Sequence, residues 1–298
     1  LVTGVQTCAL PIYDRGMYFA SHGLPFLVVD VRGRGNSGGV YNPFVQEVND
    51  GYDAVERVAK LPFCNGKVAM WGGSYAGFNQ WAAAKNRPPS LATIVPVAAP
   101  HAGADFPWRN NVGSPYLAQW VTYTSGKAAQ VRMFGDQRLW ADLWRLRFEK
   151  GEPYSTLENV LGGEMPILRE WLRHPSLDAW FDSMVPSVSD YRAMTFPILT
   201  ITGSYDADQP GALTFYRRYM RAASPDQRAR HWLIIGPWDH AGTRTPQPSF
   251  GGLAFGPASL VDLPKLHLEW YRFAMQGGPQ PEFLKKPVAW YLIGAEEW

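Results

Sequence analysis

The stretch Lys67–Gly77, with the sequence KVAMWGGSYAG, decides how this chain folds. It begins as a short apolar run, passes through a turn of small residues around Ser74, and continues as an apolar helical segment to Lys85. This order predicts a buried strand, a sharp turn and a helix. Such a turn strains the serine backbone, so its neighbours must be small. The serine hydroxyl would then project above the sheet, where it could act as a nucleophile.

The glycine pattern around this serine is imperfect. Gly72 stands two residues before it, but Ala76 occupies the position two residues after, and Gly77 comes one residue later. A glycine-rich loop with an idle serine would have the same pattern. If Ser74 is the nucleophile, the amide of Tyr75 at the helix N-terminus would face the developing oxyanion. The partners of the serine must decide between these interpretations.

Two later strands supply candidate partners. A buried-type strand over Phe196–Gly203 is followed by Asp206 and Asp208, and a second strand, His231–Gly236, is followed by His240. A nucleophilic serine needs a base, and the base needs an acid that orients it. Both candidates lie past the carboxyl ends of strands, where open α/β sheets place their sites.

His240 is the predicted base, because it alone among the six histidines follows a strand on a loop bounded by glycine and proline. Asp206 is the predicted acid, since it is nearer to the strand end. Asp208 is better placed to cap a helix predicted over Pro210–Met220. The order serine, acid, histidine along the chain is the one that an α/β-hydrolase fold requires.

Strands and helices alternate in the first and last thirds of the chain, whereas the central region has a helical pattern alone. Phe26–Val31 and Leu91–Val97 read as buried strands, and Asn49–Leu61 has helical apolar spacing. This alternation predicts a mostly parallel sheet. Residues 101–193 are rich in Trp, Arg and Leu at helical spacing and predict an inserted helical cap.

We therefore expect an α/β-hydrolase fold with a cap. Residues 1–12 are predicted to be a sequencing artefact. The core is predicted over 13–100, without its N-terminal strands, and over 194–286, with the cap at 101–193 between the two parts. Residues 287–298 are predicted to hold the first strand (Val288–Ile293) of a truncated C-terminal β domain.

Residues 2–12 resemble the in-frame translation of a sequencing adapter. Segments of this kind are excluded from fold reasoning. The authentic sequence is then expected to start near Tyr13, within a domain, so a signal peptide can be neither claimed nor denied. A cytoplasmic location is the favoured expectation.

Composition argues against several classes of protein. The net charge of +2, with scattered basic residues, argues against a nucleic-acid binder, and no apolar run reaches the length of a membrane span. The two cysteines give neither a disulfide framework nor a metal-binding spacing. We expect no metal, no cofactor, no nucleic acid and no membrane, but a small ester, amide or short peptide as substrate. The sequence leaves the oligomeric state open.

A glycine-rich loop suggests a rival function. Gly33–Gly38 has the spacing G-x-G-x-x-G after a predicted strand, and Asp53 lies at a suitable distance for a ribose contact. A dinucleotide-binding oxidoreductase is therefore an alternative. Pro43 delays the helix that such a loop should open into, and Asp53 falls inside a helical segment. A structural turn, held by Arg32 or Arg34 bonding to carbonyls, fits better.

The chain resembles the family of cocaine esterase and X-prolyl dipeptidyl-peptidase, which are α/β-hydrolase serine hydrolases. The segments that carry the resemblance span most of the chain; they are Asp30–Gly39, Gly51–Gly77, Gly203–Asp206 and Gly236–His240. The resemblance assigns the nucleophile to Ser74, the acid to Asp206 and the base to His240. In this family the second glycine of the serine motif stands three residues after the serine, which is where Gly77 lies. It also assigns a second oxyanion donor to the hydroxyl of Tyr13.

The resemblance implies a two-step acyl transfer that cleaves an ester or amide. An X-Pro dipeptidyl aminopeptidase is the alternative within the family. Members usually continue into a C-terminal β jelly-roll, so this chain is expected to be a fragment, and a catalytically inactive fragment is a further alternative.

Overall fold

The computed structural model describes residues 2–3 and 9–298 of the chain. Its strands, in chain order, are β1 (Val2–Thr3), β2 (Leu27–Val28), β3 (Val68–Gly73), β4 (Leu91–Val97), β5 (Trp108–Arg109), β6 (Val112–Gly113), β7 (Ile198–Tyr205), β8 (His231–Asp239), β9 (Ser249–Phe250), β10 (Leu253–Ala254) and β11 (Val288–Trp290).

The helices surround these strands and form the cap. In chain order they are α1 (Ala9–Ser21), α2 (Glu47–Ala59), α3 (Tyr75–Lys85), α4 (Pro115–Thr124), α5 (Val131–Gly135), α6 (Gln137–Lys150), α7 (Leu157–Leu161), α8 (Pro166–Leu172), α9 (Ala179–Met184), α10 (Val188–Ala193), α11 (Gln209–Ala222), α12 (Pro225–Arg228) and α13 (Leu263–Gln276). Within the described part of the chain, no helix is both long and apolar enough to cross a bilayer.

Seven strands form one central sheet in the order β11-β8-β7-β4-β3-β1-β2. All pairings within it are parallel. Strands β3, β4, β7 and β8 are buried along most of their length because helices cover both faces of the sheet. Their carboxyl ends consequently meet at one edge, which makes this edge the place to look for a site.

An apolar cluster lies on each face of the sheet. One contains Trp81 of α3 stacked on Phe215 of α11, with ring centroids 4.9 Å apart. The other contains Trp232 of β8 and Trp270 of α13, whose rings meet edge to face at 5.3 Å. Since buried aromatic side chains remove large apolar areas from water, these layers fix the sheet between its helices.

The cap covers the first of these clusters. Helices α4 to α10 occupy residues 115–193, and Trp120 of α4 and Trp171 of α8 pack in a stacked arrangement at 6.2 Å. Both rings also contact Phe44, which precedes α2. The cap region also contains a short antiparallel hairpin, formed by β5 and β6 with two residues each, that the sequence did not predict.

The C-terminal strand corrects one expectation. Val288–Ile293 was predicted as the start of a separate β domain, but β11 pairs with β8 in parallel, with Val288 opposite Leu233. The Leu233 amide donates to the carbonyl of Pro287 at 2.9 Å. Helix α13 supplies the crossover that a parallel pair needs. The segment is therefore the edge strand of the central sheet.

The N-terminal region also differs from the simple strand pattern. The strand predicted over Phe26–Val31 shortens to Leu27–Val28, because the chain then turns back and the hydroxyl of Ser37 donates to the carbonyl of Asp30. β1, within the adapter-like segment, pairs with both β2 and β3. Residues 1 and 4–8, including Cys8, lie outside the described residues.

Candidate active site

Ser74 stands at the turn between β3 and α3, as the sequence predicted. Its backbone has φ 62° and ψ −130°, a strained conformation for a residue with a side chain. Its amide donates to the carbonyl of Val97 at 2.9 Å, which ties the turn to the neighbouring strand β4. Tyr75 is the first residue of α3, so its amide has no acceptor within the helix. The turn thus presents a serine hydroxyl next to a free helix N-terminus.

The small residues around Ser74 are required by close packing. A Cβ built on Gly72 would lie 2.5 Å from the Cβ of Ala76. A Cβ on Gly77 would lie 2.8 Å from the carbonyl oxygen of Val97, the same oxygen that accepts from Ser74. The second glycine is therefore needed three residues after the serine, where α3 touches β4, and alanine fits two residues after it.

Gln80 fixes this turn from behind, a role that the sequence did not predict. The side chain is fully buried, and its Nε2 donates to the carbonyls of Gly72, Ala76 and Val95 at 3.0–3.1 Å. Its Oε1 accepts from the amide of Val95 at 2.8 Å. One amide group thus joins β3, α3 and β4. The signal for it was a pair of polar residues, Asn79 and Gln80, inside a mostly apolar helix.

Asp206 and His240 lie together at the ends of β7 and β8. Asp206 Oδ1 is 2.8 Å from His240 Nδ1. The Asp206 carboxylate also accepts from the hydroxyl of Thr202 at 3.0 Å and from the amide of Asp208 at 3.0 Å. A carboxylate only accepts hydrogen bonds, so Nδ1 of His240 carries the proton and Nε2 is left as the basic nitrogen.

A hydrogen-bonded turn begins at His240 and leads to Arg244. The hydroxyl of Thr243 donates to the His240 carbonyl at 2.8 Å, and the Arg244 amide donates to the carbonyl of Ala241 at 3.0 Å. The Arg244 side chain then crosses Gly73: a Cβ on that glycine would lie 2.5 Å from its Nη1. The loop of the predicted base is thus packed against the residue next to Ser74.

Asp208 was predicted to cap the following helix. It occupies the N-cap position of α11, but its side chain makes no capping hydrogen bond. Its Oδ2 lies 3.7 Å from His240 Nδ1, because the carboxyl turns toward the histidine. Burial raises the pKa of Asp208 to about 6, with the Asp206 charge adding to the rise and His240 and Arg244 opposing it.

Asp105 is a third carboxyl near these residues, and the sequence analysis did not identify it. Its oxygens accept from the amides of His101 at 2.8 Å and Gly211 at 2.6 Å, which places it at the N-terminal end of α11. Burial, followed by the charge of Asp208, raises the pKa of Asp105 to about 8, against the effect of both amides.

Asp206, Asp208 and His240 are also the one group of potential metal ligands that the described residues bring within 4.8 Å of one another. Asp206 and His240 Nδ1 already have partners: the Asp206 carboxylate accepts three hydrogen bonds, one of them from His240. The donor set therefore fits an oriented histidine better than a cation site.

Tyr13, the predicted second oxyanion donor, is not brought to the site. It lies in α1 with 64% of its surface exposed. No hydrogen bond or ring contact joins it to any other residue that the structure describes. The assignment came from the family resemblance, and in this structure the Tyr13 side chain is largely exposed to solvent.

The glycine-rich loop is a structural turn. The Gly33 amide donates to the carbonyl of Gly38 at 2.8 Å, so the loop closes on itself. The Arg34 guanidinium is buried and donates to the carbonyls of Thr124, Ser125 and Gly126 in the cap. The prediction that an arginine holds this turn by bonding to carbonyls is confirmed. The next helix, α2, begins only at Glu47.

Behind the serine turn, Tyr75 meets a buried acid. Its hydroxyl donates to Glu47, the first residue of α2, whose side chain is buried. Burial raises the pKa of Glu47 to about 7, against the hydrogen bond from Tyr75. The Tyr75 side chain therefore points into the core.

Several curated proteins are similar to this chain. It is 24% identical to the cocaine esterase of Rhodococcus sp. (strain MB1 Bresler) over 293 residues, which cover 94% of this chain and 50% of that protein. It is 36% identical to a putative serine esterase of Mycobacterium bovis over 80 residues, which cover 26% of this chain and 13% of that protein. The chain thus spans half the length of the cocaine esterase.

Solved structures show the same fold. An α-amino acid ester hydrolase superposes with a TM-score of 0.78 at 20% identity, covering all of this chain and 52% of its own. An aminopeptidase from a marine sediment Thaumarchaeota archaeon superposes with a TM-score of 0.74 at 17% identity, covering all of this chain and 53% of its own. The sheet and its helices have the α/β-hydrolase arrangement. The family described as X-Pro dipeptidyl-peptidase (S15 family) matches residues 5–242, and the chain belongs to this family.

Proposed function

We propose that this chain carries a serine acyl-hydrolase site, with Ser74 as nucleophile, His240 as base and Asp206 as the acid that orients it. The observation that carries the proposal is the 2.8 Å hydrogen bond between Asp206 and His240 on a loop packed beside the strained turn of Ser74. Nucleophilic serines are activated by such an oriented base.

The reaction proceeds in two steps. His240 Nε2 takes the proton of Ser74 as Oγ attacks an ester or amide carbonyl carbon, and the Tyr75 amide donates to the oxyanion. The tetrahedral adduct collapses, and His240 returns the proton to the leaving alcohol or amine. Water, deprotonated by His240, then attacks the acyl-enzyme and releases the acid and the free serine.

A fluorophosphonate probe tests the nucleophile. The wild-type chain should take up one label on Ser74, and Ser74→Ala should take up none. Ser189→Ala, which changes an exposed cap serine, is the matched control and should label as the wild type does. Labelling of Ser74→Ala at the wild-type rate would show that another residue is the nucleophile.

An X-Pro dipeptidyl aminopeptidase is the second candidate, since the family that matches is described by that activity. Such an enzyme must hold the substrate ammonium with an anion. The cap acid Glu158 is already paired with Arg169 at 2.8 Å. Asp208, outside the cap at the start of α11, lies beside His240 and is the nearer candidate for this anion. Parallel assays with a p-nitrophenyl ester and a Gly-Pro p-nitroanilide distinguish the two: ester turnover alone favours the esterase, and faster anilide turnover favours the peptidase.

A further inference from the structure

Arg244 lies at the edge of the proposed site and has no role in the triad. It leaves the same hydrogen-bonded turn as His240, four residues later. Its side chain passes over Gly73, with Cδ 2.7 Å and Nη1 2.5 Å from a Cβ built on that glycine. The guanidinium is therefore held within one residue of the proposed nucleophile.

The turn itself is fixed, so this position is not accidental. The Gly242 amide donates to Asp239 Oδ1 at 2.7 Å, and Arg15 Nη2 of α1 donates to the Arg244 carbonyl at 3.3 Å. Arg15 in turn lies over the ring of Trp71 in β3, 5.1 Å from its centroid. The backbone that carries Arg244 is thus tied to β8, α1 and β3.

The guanidinium has no acceptor of its own. Across residues 9–298, no carboxylate lies within salt-bridge distance of Arg244, and its side chain donates no hydrogen bond. Asp206 and Asp208 favour its charge from farther away, as do Tyr116 of the cap and Asp239. Burial lowers the pKa of Arg244, although these four groups act to raise it. The Arg244 side chain is half-buried, and its planar guanidinium is well suited to pair with a carboxylate or phosphate.

We propose that Arg244 binds a carboxylate of the substrate, located a few bonds from the scissile carbonyl, and so selects esters or amides that carry such a group. This inference rests on the proposed function. The planar guanidinium can donate two parallel hydrogen bonds to one carboxylate. Because the nearby acids lie beyond pairing distance, the carboxylate of the substrate would be the ion-pair partner of Arg244.

Two matched substrate pairs identify where the carboxylate sits. The first pair, the mono-p-nitrophenyl ester of glutarate and p-nitrophenyl butyrate, tests for a carboxylate on the acyl group. The second pair, 4-acetoxybenzoate and phenyl acetate, tests for a carboxylate on the leaving group. For one pair, Arg244→Gln should lower the ratio of kcat/KM, charged over neutral, by about tenfold or more. Arg244→Lys should retain part of the preference, and the exposed cap variant Arg138→Gln should leave both ratios as in the wild type.

Equal loss on all four esters in Arg244→Gln would overturn the inference, because it would make Arg244 only a support for the triad. Unchanged ratios in both pairs would overturn it as well. A chain that hydrolyses no ester would refute the proposed function separately. Arg244 is then tested by calorimetric titration with glutarate: saturable binding to the wild type that Arg244→Gln abolishes supports the inference, and binding that is absent or insensitive to the substitution refutes it.

Discussion

His240 Nδ1 lies 2.8 Å from Asp206 Oδ1, although 34 residues separate them in the chain. Each follows the carboxyl end of its strand, and β7 and β8 are adjacent and parallel. Their register shifts by one residue after Gly203, which places Tyr205 opposite Asp239. The pair is therefore a consequence of sheet topology: two parallel neighbours end together, and the first polar residue after each one meets the other. Ser74 follows β3, which is separated from β7 by β4 alone.

Because Asp206 holds this hydrogen bond, we expect Asp206 to contribute more to kcat/KM than Asp208 does. Asp206→Asn keeps the shape but removes the acceptor that fixes the His240 proton on Nδ1, so kcat/KM should fall by about 10³- to 10⁴-fold. Asp208→Asn should cost about tenfold or less, because its Oδ2 lies 3.7 Å from Nδ1. Ester hydrolysis by both variants, with circular dichroism as a check of folding, gives the comparison. An equal loss in the two would mean that the carboxyls share the orienting role.

Gln80 should matter for stability. Gln80→Leu leaves the Val95 amide without its acceptor and removes three donations to carbonyls, so the free energy of unfolding should fall by roughly 3 kcal/mol. Urea denaturation measures this change. The exposed Gln247→Leu is the control and should stay within about 0.5 kcal/mol of the wild type. A small loss in Gln80→Leu would show that the three segments hold together without the amide.

Much of the fold and the central pair could be predicted from the sequence because their signals are local. Apolar runs mark the strands, and Asp206 and His240 follow two of them within four residues. Gln80 and Arg244 could not be assigned, since Gln80 bonds to β3 and β4 and Arg244 packs on Gly73, contacts that only the folded chain brings about. β11 was misplaced for the same reason: its pairing edge on β8 lies more than 50 residues earlier in the chain. The resemblance that assigned Tyr13 did not reveal that the residue is largely exposed.

Glu47 should make stability depend on pH. Burial raises its pKa from 4.5 to about 7 in the folded chain. Between these values the folded chain keeps a proton that the unfolded chain releases, so this group's contribution to stability falls as pH rises. Glu47→Gln stays neutral throughout. The variant should therefore gain about 3 kcal/mol relative to the wild type between about pH 4.5 and 7.5, measured by urea denaturation at each pH.

Two further variants test the cause of that pH dependence. Tyr75→Phe removes the hydroxyl that lowers the Glu47 pKa, so the fall in stability should extend to higher pH. The exposed Glu149→Gln should leave the pH dependence as in the wild type. Parallel pH profiles for Glu47→Gln and the wild type would contradict the raised pKa of Glu47.

Gly77 should control activity more than stability. In Gly77→Ala the new Cβ would lie 2.8 Å from the Val97 carbonyl oxygen and 3.0 Å from the Cβ of Ala99. Since Val97 accepts the hydrogen bond of the Ser74 amide, relief of this contact moves the serine turn. We expect kcat to fall by about 10²-fold, as small displacements of reacting groups do, with a loss of about 1–3 kcal/mol in stability.

Gly38→Ala provides the matched control for this variant, because a Cβ there meets no atom within 4 Å and needs no unusual backbone. Its kcat and its urea midpoint should both match those of the wild type. If Gly77→Ala loses stability but keeps full kcat, the Val97 carbonyl can yield without moving Ser74. The close packing of α3 on β4 would then serve the fold, and the position of the serine would depend on Gly72 and Gln80 instead.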